Sequence, residues 1–255
     1  MDDSLYDELW QVERSHWWFR ARRKIVWSLV HRYLKGASWR RLRVCELGCG
    51  TGGNIAAMAD RHDVIGIEPS PKGLAYARRC LGQCVYSGAL PNDIRLPPDS
   101  FDVVLLADVL EHIQDHQRSA QVALRLLRPG GLVVATVPAY QWLYAPRDAY
   151  HGHFRRYGKT QFRKLWTMPE AQIMLLSHYN TLLFVPAAVA RLASKLSGRA
   201  SQPTDLRIPP RPLNDCLELT MRSESHLLGR VPLPFGLSLV AVVRKREAPA
   251  VKAAA

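Results

Sequence analysis

Residues 44–54 read Val-Cys-Glu-Leu-Gly-Cys-Gly-Thr-Gly-Gly-Asn. The apolar run Leu42–Leu47 predicts a strand that enters a glycine-rich turn and then a helix. Glycines at Gly48, Gly50 and Gly52 let the chain turn sharply and approach a ligand closely, and the helix that follows offers unpaired N–H groups. A second apolar run ends at Glu68, 20 residues after Gly48. A carboxylate at that strand end is placed to accept from ribose hydroxyls. Gly48, Gly50 and Gly53 also satisfy G-x-G-x-x-G, the fingerprint of dinucleotide sites. Glu46 argues against that reading. Its charge beside the glycines repels a pyrophosphate and suits a ligand that carries positive charge.

Outward from this loop, short apolar runs alternate with helical segments. Strands are predicted over Asp63–Glu68, Gln83–Ser87, Phe101–Ala107 and Leu132–Val137. Helices carry Leu74, Ala77 and Leu81 on one face, and Ala120, Ala123, Leu124 and Leu127 on another. The alternation implies an α/β fold, a parallel sheet covered by helices on both sides. Residues 4–35 read as one helix, with Ile25, Val26, Leu29 and Val30 in its apolar stripe and an aromatic group of Tyr6, Trp10, Trp17, Trp18 and Phe19 before it. Strands are also expected over Ile173–Tyr179 and Gly236–Arg244. Between them lie about 55 residues, too many for a plain loop. They hold an apolar helix near 185–196, a proline-rich stretch and a second helix at 213–229. The expected organisation is an N-terminal helical lid (1–36), the ligand-binding core (37–180), a helical insertion capping the site (181–233), the core's final strand (234–246) and a tail (247–255).

The composition is that of a globular protein: 255 residues, 47% hydrophobic and 22% charged. The longest near-apolar stretch, Leu182–Ala190, is interrupted by Pro186 and falls far short of the roughly 20 residues of a membrane span. The acidic start (Asp2, Asp3, Asp7, Glu8) is the opposite of a secretory signal. Five cysteines, with Cys45–Cys49 and Cys80–Cys84 spaced unlike C-x-x-C sites, read as reduced, buried thiols of a cytoplasmic protein. A net charge of +13 favours an anionic partner or a membrane surface. The basic runs Arg20–Lys24 and Arg40–Arg43 match no nucleic-acid module, so no nucleic-acid partner is expected.

The segment from about 42 to 138 resembles the class I S-adenosylmethionine-dependent methyltransferases. The resemblance is carried by Glu46–Gly53 (ELGCGTGG), Gly66–Ser70 (GIEPS), Ser100–Ile113 (SFDVVLLADVLEHI) and Leu127–Pro138 (LRPGGLVVATVP), in order. His16–Arg23 and His151–Tyr157 are similar to a bacterial subgroup associated with glycan or glycolipid pathways. The resemblance implies a Rossmann-like sheet of seven strands, the last inserted antiparallel, and S-adenosylmethionine as cofactor with S-adenosylhomocysteine as product. It implies that Gly48, Cys49, Gly50 and Gly52 hold the methionine part, with Glu46 orienting its amino group. Glu68 would bind the ribose and Pro69 pack at the adenine. Ala89 and Leu90 would lie at the adenine edge, and Ala107 and Asp108 would face the cofactor. Relatives often carry Asp at the Ala89 position, so that contact passes here to other groups.

Three histidines are candidates for taking a proton from an acceptor: His112 at the start of the helix after the fourth strand, and His151 and His153 in the loop after the fifth. Trp18, Tyr140, Asp148, Arg155, Arg156 and Tyr157 are the candidate acceptor-binding residues, the arginines for a phosphate or carboxylate. No metal is assigned, although Glu111 and His112 offer donors of the kind some quinone O-methyltransferases use. The expected acceptor is a small molecule, anionic and lipid-linked or glycan-related, with the apolar 185–196 helix covering a tail or touching a membrane.

Overall fold

The computed structural model describes residues 3–34, 36, 39–189 and 206–247. Its centre is a seven-stranded sheet: β1 (Arg43–Leu47), β2 (Asp63–Glu68), β3 (Val85–Ser87), β4 (Phe101–Ala107), β5 (Leu127–Pro138), β6 (Ala171–Tyr179) and β7 (Ser238–Lys245). The spatial order is β3-β2-β1-β4-β5-β7-β6. The first five strands are parallel, and β7 runs antiparallel between β5 and β6. The Rossmann-like α/β architecture and the inserted last strand are as expected.

Both sheet faces are apolar because successive side chains point to opposite sides. Val44, Val103, Leu105, Val134, Val240 and Val242 join one core cluster. Cys45, Val104, Leu106, Val133, Ala241 and Val243 join the other. The helices are α1 (Asp3–Val12), α2 (Trp17–Tyr33), α3 (Gly53–Ala56), α4 (Pro71–Leu81), α5 (His116–Leu126), α6 (Pro146–Tyr150), α7 (Lys159–Lys164) and α8 (Arg211–Ser223), with a further helical stretch at 184–189. Helix α2 buries Ala21, Ile25, Val26, Leu29 and Val30 on the first face, and α5 buries Ala120, Ala123 and Leu124 on the second. Their starts are written locally. Ser70 accepts from the Gly73 N–H at 3.2 Å, with Pro71 following it, and Asp115 accepts from Arg118 N–H at 3.0 Å.

The structure differs from the sequence expectations at several places. The N-terminal helix is two helices. His16 caps α2 by accepting from the Trp18 N–H at 3.2 Å, and Glu13 turns into the glycine loop. The helix expected at 213–229 is Arg211–Ser223 followed by a 3₁₀ turn. It docks on α2 through Asn214, which accepts from Trp17 N–H at 2.9 Å and donates to the Ser15 carbonyl at 3.0 Å, and through an Arg20–Glu218 ion pair of 2.7 Å. Of the helix expected at 185–196, residues 190–196 lie outside the described residues, as does the tail from 248. Only Cys45 and Cys49 are buried; Cys84 and Cys216 are exposed. No helix among the described residues is long and apolar enough to cross a membrane.

The central strands should dominate stability. Leu105→Ala, within the sheet's core, is expected to cost about 2–5 kcal/mol, whereas Leu219→Ala on the exposed side of α8 should stay within about 0.5 kcal/mol. Urea unfolding of both variants measures the contrast.

Candidate active site at the carboxyl edge of the sheet

The parallel strands deliver Glu46, Glu68, Ala107, Asp108 and Pro138 to one edge, where open α/β sheets bind ligands. The loop after β1 crosses this edge with Gly48 at φ +72° and Gly52 at φ +84°. A Cβ on Gly48 would lie 2.9 Å from Val109, so this turn demands glycine. Glu68 is the loop's anchor. It accepts from Gly50 N–H at 2.7 Å on one oxygen, and from Ser70 N–H at 3.0 Å and the Tyr6 hydroxyl at 2.9 Å on the other. Glu46 is buried and accepts from Asn54 at 2.7 Å with Oε1, while its Oε2 has no hydrogen-bond partner among the described residues. Burial first, and then the nearby Glu13, push its carboxyl up to about 8. Glu13 accepts from the Thr51 hydroxyl and from the Gly53 N–H at 3.2 Å. Cys49 is buried; Pro69 and Ala89, just past the ends of β2 and β3, are exposed and Leu90 is half-buried.

Next to this cradle, Asp108 sits at φ +57° with its N–H shared between the Thr136 carbonyl and hydroxyl, each at 3.1 Å. Its carboxylate is paired with Arg22, which reaches in from α2, also donates to the Ala107 carbonyl at 3.3 Å and is 4% exposed. The guanidinium lies 4.5 Å from the centre of the Trp18 ring and 5.5 Å from that of Phe19. Burial would lower its pKa, but Asp108 overrules this and holds it above the ordinary value. Arg22 is thus a buried partner of the site and not part of a solvated basic run. The sequence does carry a signal for it: Trp18 and Arg22 are four apart on a helix and share a face. Sequence reasoning also misses Tyr6 and Glu13, because nothing in their own neighbourhood points to Glu68 or Thr51.

The histidines converge. The rings of His112 and His153 meet edge to face at 4.6 Å, and His151 lies 6.0 Å from His153. Burial lowers His112 to about 3 and His151 to about 4. His153 Nδ1 is 3.1 Å from Asp148 Oδ1. Asp148 also accepts from Arg156 at 2.6 Å and from the Ala145 N–H at 2.8 Å. Burial would raise Asp148, but its bonds to His153 and Arg156 win and hold it below the usual carboxylate range. An ionised carboxylate only accepts, so His153 donates from Nδ1 and keeps Nε2 as its basic atom. Beneath them Glu111 is fully buried with both carboxyl oxygens unpaired among the described residues, and burial and Asp108 push its pKa well up. Glu111, His112 and His153 each bring a donor atom within 4.8 Å of the others, so this is where an ion would be held.

The expected acceptor arginines have other partners. Arg156 is buried against Asp148 and the Ala139 carbonyl. Arg155 donates to the carbonyls of Ile113 at 2.8 Å and Gln114 at 3.3 Å. Tyr157 is fully buried, donates to the Leu110 carbonyl at 3.0 Å and lies 2.7 Å from His116 Nδ1. Arg155 and Tyr157 tie the 151–157 loop to the turn after β4, and Arg156 ties it to Asp148 and to the Ala139 carbonyl just past β5, so all three side chains are engaged within the fold. Tyr140 lies two residues past the end of β5. It stacks on His178 at 5.3 Å, with Trp142 and Phe184 beside it.

Residues 45–135 match a family model described as a methyltransferase domain. That segment carries a methyltransferase domain and is similar to the class I S-adenosylmethionine-dependent methyltransferases. A probable S-adenosylmethionine-dependent methyltransferase of Mycolicibacterium smegmatis is 30% identical over 128 residues, 50% of this chain and 48% of that one. A ubiquinone biosynthesis O-methyltransferase of Rhizobium etli is 33% identical over 103 residues, 38% and 41% of the two chains. A demethylmenaquinone methyltransferase of Tropheryma whipplei is 32% identical over 121 residues, 42% and 51%. The chain spans about half the length of the curated relatives it matches. Among solved structures, the complex of the Haloferax volcanii Trm112 methyltransferase activator with a putative methyltransferase aligns with TM-score 0.59 at 17% identity, covering 96% of this chain and 95% of that one. A putative sarcosine dimethylglycine methyltransferase from Galdieria sulphuraria gives 0.57 at 15%, covering 88% and 86%. The family's cofactor is S-adenosylmethionine, and the cradle fits it. The buried, unpaired Glu46 oxygen lacks what an ammonium would supply, and the glycine loop leaves Gly50 open, with no atom within 4 Å of the place a Cβ would occupy.

The Arg22–Asp108 pair should be tightly coupled. Arg22→Met, which leaves Asp108 beside apolar neighbours without its cation, is expected to cost about 3–5 kcal/mol. Adding Asp108→Asn should recover part of that loss. A double-mutant cycle in urea unfolding reads the coupling.

Proposed function

We propose that this protein transfers a methyl group from S-adenosylmethionine to a hydroxyl of a small-molecule acceptor. The observation that carries the reading is the buried Glu46 carboxyl with one unpaired oxygen beside the Gly48–Gly52 turn. S-adenosylmethionine, when bound, supplies an electrophilic methyl on a sulfonium. The protein's own contribution is alignment and exclusion of water. Glu46 takes the ammonium, Glu68 the ribose hydroxyls, and the backbone of Gly48, Cys49, Gly50 and Gly52 the methionine part. Pro69, Ala89 and Leu90 border the adenine, and Ala107 and Asp108 form the wall beneath the methyl.

His153 is the proton acceptor in this reading. Asp148 orients it, and the low pKa values of His112 and His151 make those two poor bases at neutral pH. An oxygen acceptor is favoured by this dyad and by relatives named ubiquinone biosynthesis O-methyltransferases. The aromatic edge of Tyr140, Trp142, Phe184 and Phe235 favours a flat, apolar acceptor. An anionic acceptor gripped by Arg155 and Arg156 loses its support, since both guanidiniums are engaged internally. The exposed Leu182, Val185 and Val189 keep a membrane-surface or lipid-tail contact within the proposal.

A nicotinamide dinucleotide is the competing ligand, and Glu13, which already accepts from the Thr51 hydroxyl and the Gly53 N–H, occupies loop donors that its pyrophosphate would need. Calorimetry should show S-adenosylhomocysteine binding and no NAD binding. The sign of the pH effect follows from Glu46. With a pKa of about 8 it is mostly protonated at pH 7, and an ammonium favours the ionised form. Binding should therefore release up to about one proton at pH 7 and tighten as pH rises towards 8. Titration in two buffers of different ionisation enthalpy measures the proton count; no release would remove Glu46 from the ammonium site.

With a phenolic acceptor, His153→Ala should slow single turnover by about 100-fold or more while S-adenosylhomocysteine affinity is kept. Undiminished turnover would take His153 out of the chemistry.

A further inference from the structure

Tyr6 lies outside every motif of the glycine loop, yet its hydroxyl donates to Glu68 Oε1 at 2.9 Å and its ring is buried, 6% exposed. The ring is wedged over Glu68 and Gly73: a Cβ built on Gly73 would fall 2.5 Å from Tyr6 Cε1 and 3.0 Å from Glu68 Cγ. Helix α1, which carries Tyr6, is pinned at three further points. Asp7 accepts from Lys72 and from Tyr76, each at 2.6 Å, and Trp10 stacks on Tyr76 at 4.9 Å. Just past its end, Glu13 accepts from Thr51 and Gly53.

A count of donors makes this arrangement consequential. A carboxylate offers about four acceptor positions. Ser70 N–H, Gly50 N–H and the Tyr6 hydroxyl take three of those on Glu68. A ribose brings two hydroxyl donors, one more than remains. The two backbone donors belong to the loop and the β2 end that build the site, and they cannot withdraw without unmaking it. The Tyr6 hydroxyl can.

We propose that Tyr6 is a gate residue of the cofactor site: it holds Glu68 until the ribose hydroxyls arrive and then gives it up, so that docking of α1 and binding of the cofactor compete. The inference rests on the assignment of Glu68 to the ribose. It makes α1 a latch whose closed position lowers cofactor affinity, rather than a passive cover.

The test is calorimetric titration of the full chain with S-adenosylhomocysteine. Tyr6→Phe keeps the ring and removes only the competing donor. It should tighten binding by about 3- to 10-fold, the equilibrium weight of one hydrogen bond. Affinity that is unchanged or weaker in Tyr6→Phe overturns the gate. Asp7→Asn loosens α1 at a point away from Glu68 and should tighten binding by a smaller factor; if Tyr6→Phe fails to fold, this variant decides in the same direction. Glu68→Ala separates the two levels. Weakened binding there, with no tightening in Tyr6→Phe, sinks the gate and leaves the cofactor site standing. Unchanged binding in Glu68→Ala removes the ribose assignment and the gate with it.

Discussion

Arg22 neutralises Asp108 at the end of β4, and the position of α2 on the sheet follows from that pairing. A carboxylate on a positive-φ residue at the sheet edge has few ways to be stabilised away from water. Here a guanidinium covered by Trp18 and Phe19 supplies the charge, and the apolar stripe from Ala21 to Val30 supplies the adhesion. Helix α8 then leans on α2 through Asn214 and Glu218, so two segments remote in sequence are placed by one ion pair and one apolar face.

The same edge concentrates carboxyl groups. Glu13, Glu46, Glu68, Asp108 and Glu111 all end near it, and among the described residues only Asp108 has a buried arginine in direct contact. Glu46 and Glu111 respond by rising in pKa, mainly through burial. A carboxyl whose folded pKa is raised favours the folded state while it is protonated. For Glu46 that contribution is lost as pH climbs from the ordinary carboxylate range through about 8. A cationic ligand reverses the balance, which links the stability of this edge to the chemistry proposed for it.

The acid–base group obeys a different logic. Asp148, Arg156 and His153 form a chain in which the arginine keeps the carboxylate ionised and the carboxylate fixes the histidine's tautomer. Arg155 and Tyr157 tie the same loop to the turn that carries His112. The dense basic composition of 151–157 is therefore largely scaffolding, and the proposed proton transfer falls to a single imidazole nitrogen.

Much of this is legible in the chain itself. Short continuous apolar runs and a period-3.6 apolar pattern predict the sheet and its helices, because the sheet is buried on both faces and each helix on one. The turn around Gly48–Gly52 and the carboxylate 20 residues on predict a ribose-binding edge, because those contacts are local to one strand–loop–helix unit. Glu46, Glu68 and the histidines stand out for the same reason. Tyr6 and Glu13 do not, nor do the pairing of Arg22 with Asp108 (the Trp18–Arg22 spacing signals only a shared helix face) and the internal engagement of Arg155 and Arg156. Their partners are Asp108, Glu68, Thr51, Ile113 and Asp148, and in most of these pairs the two residues lie tens of positions apart. Hydrogen-bond and charge complementarity between distant segments leaves no period or spacing in the sequence. It exists only once packing has brought the segments together, so the tertiary structure alone decided which charges are paired within the fold and which are left unpaired at the edge of the sheet.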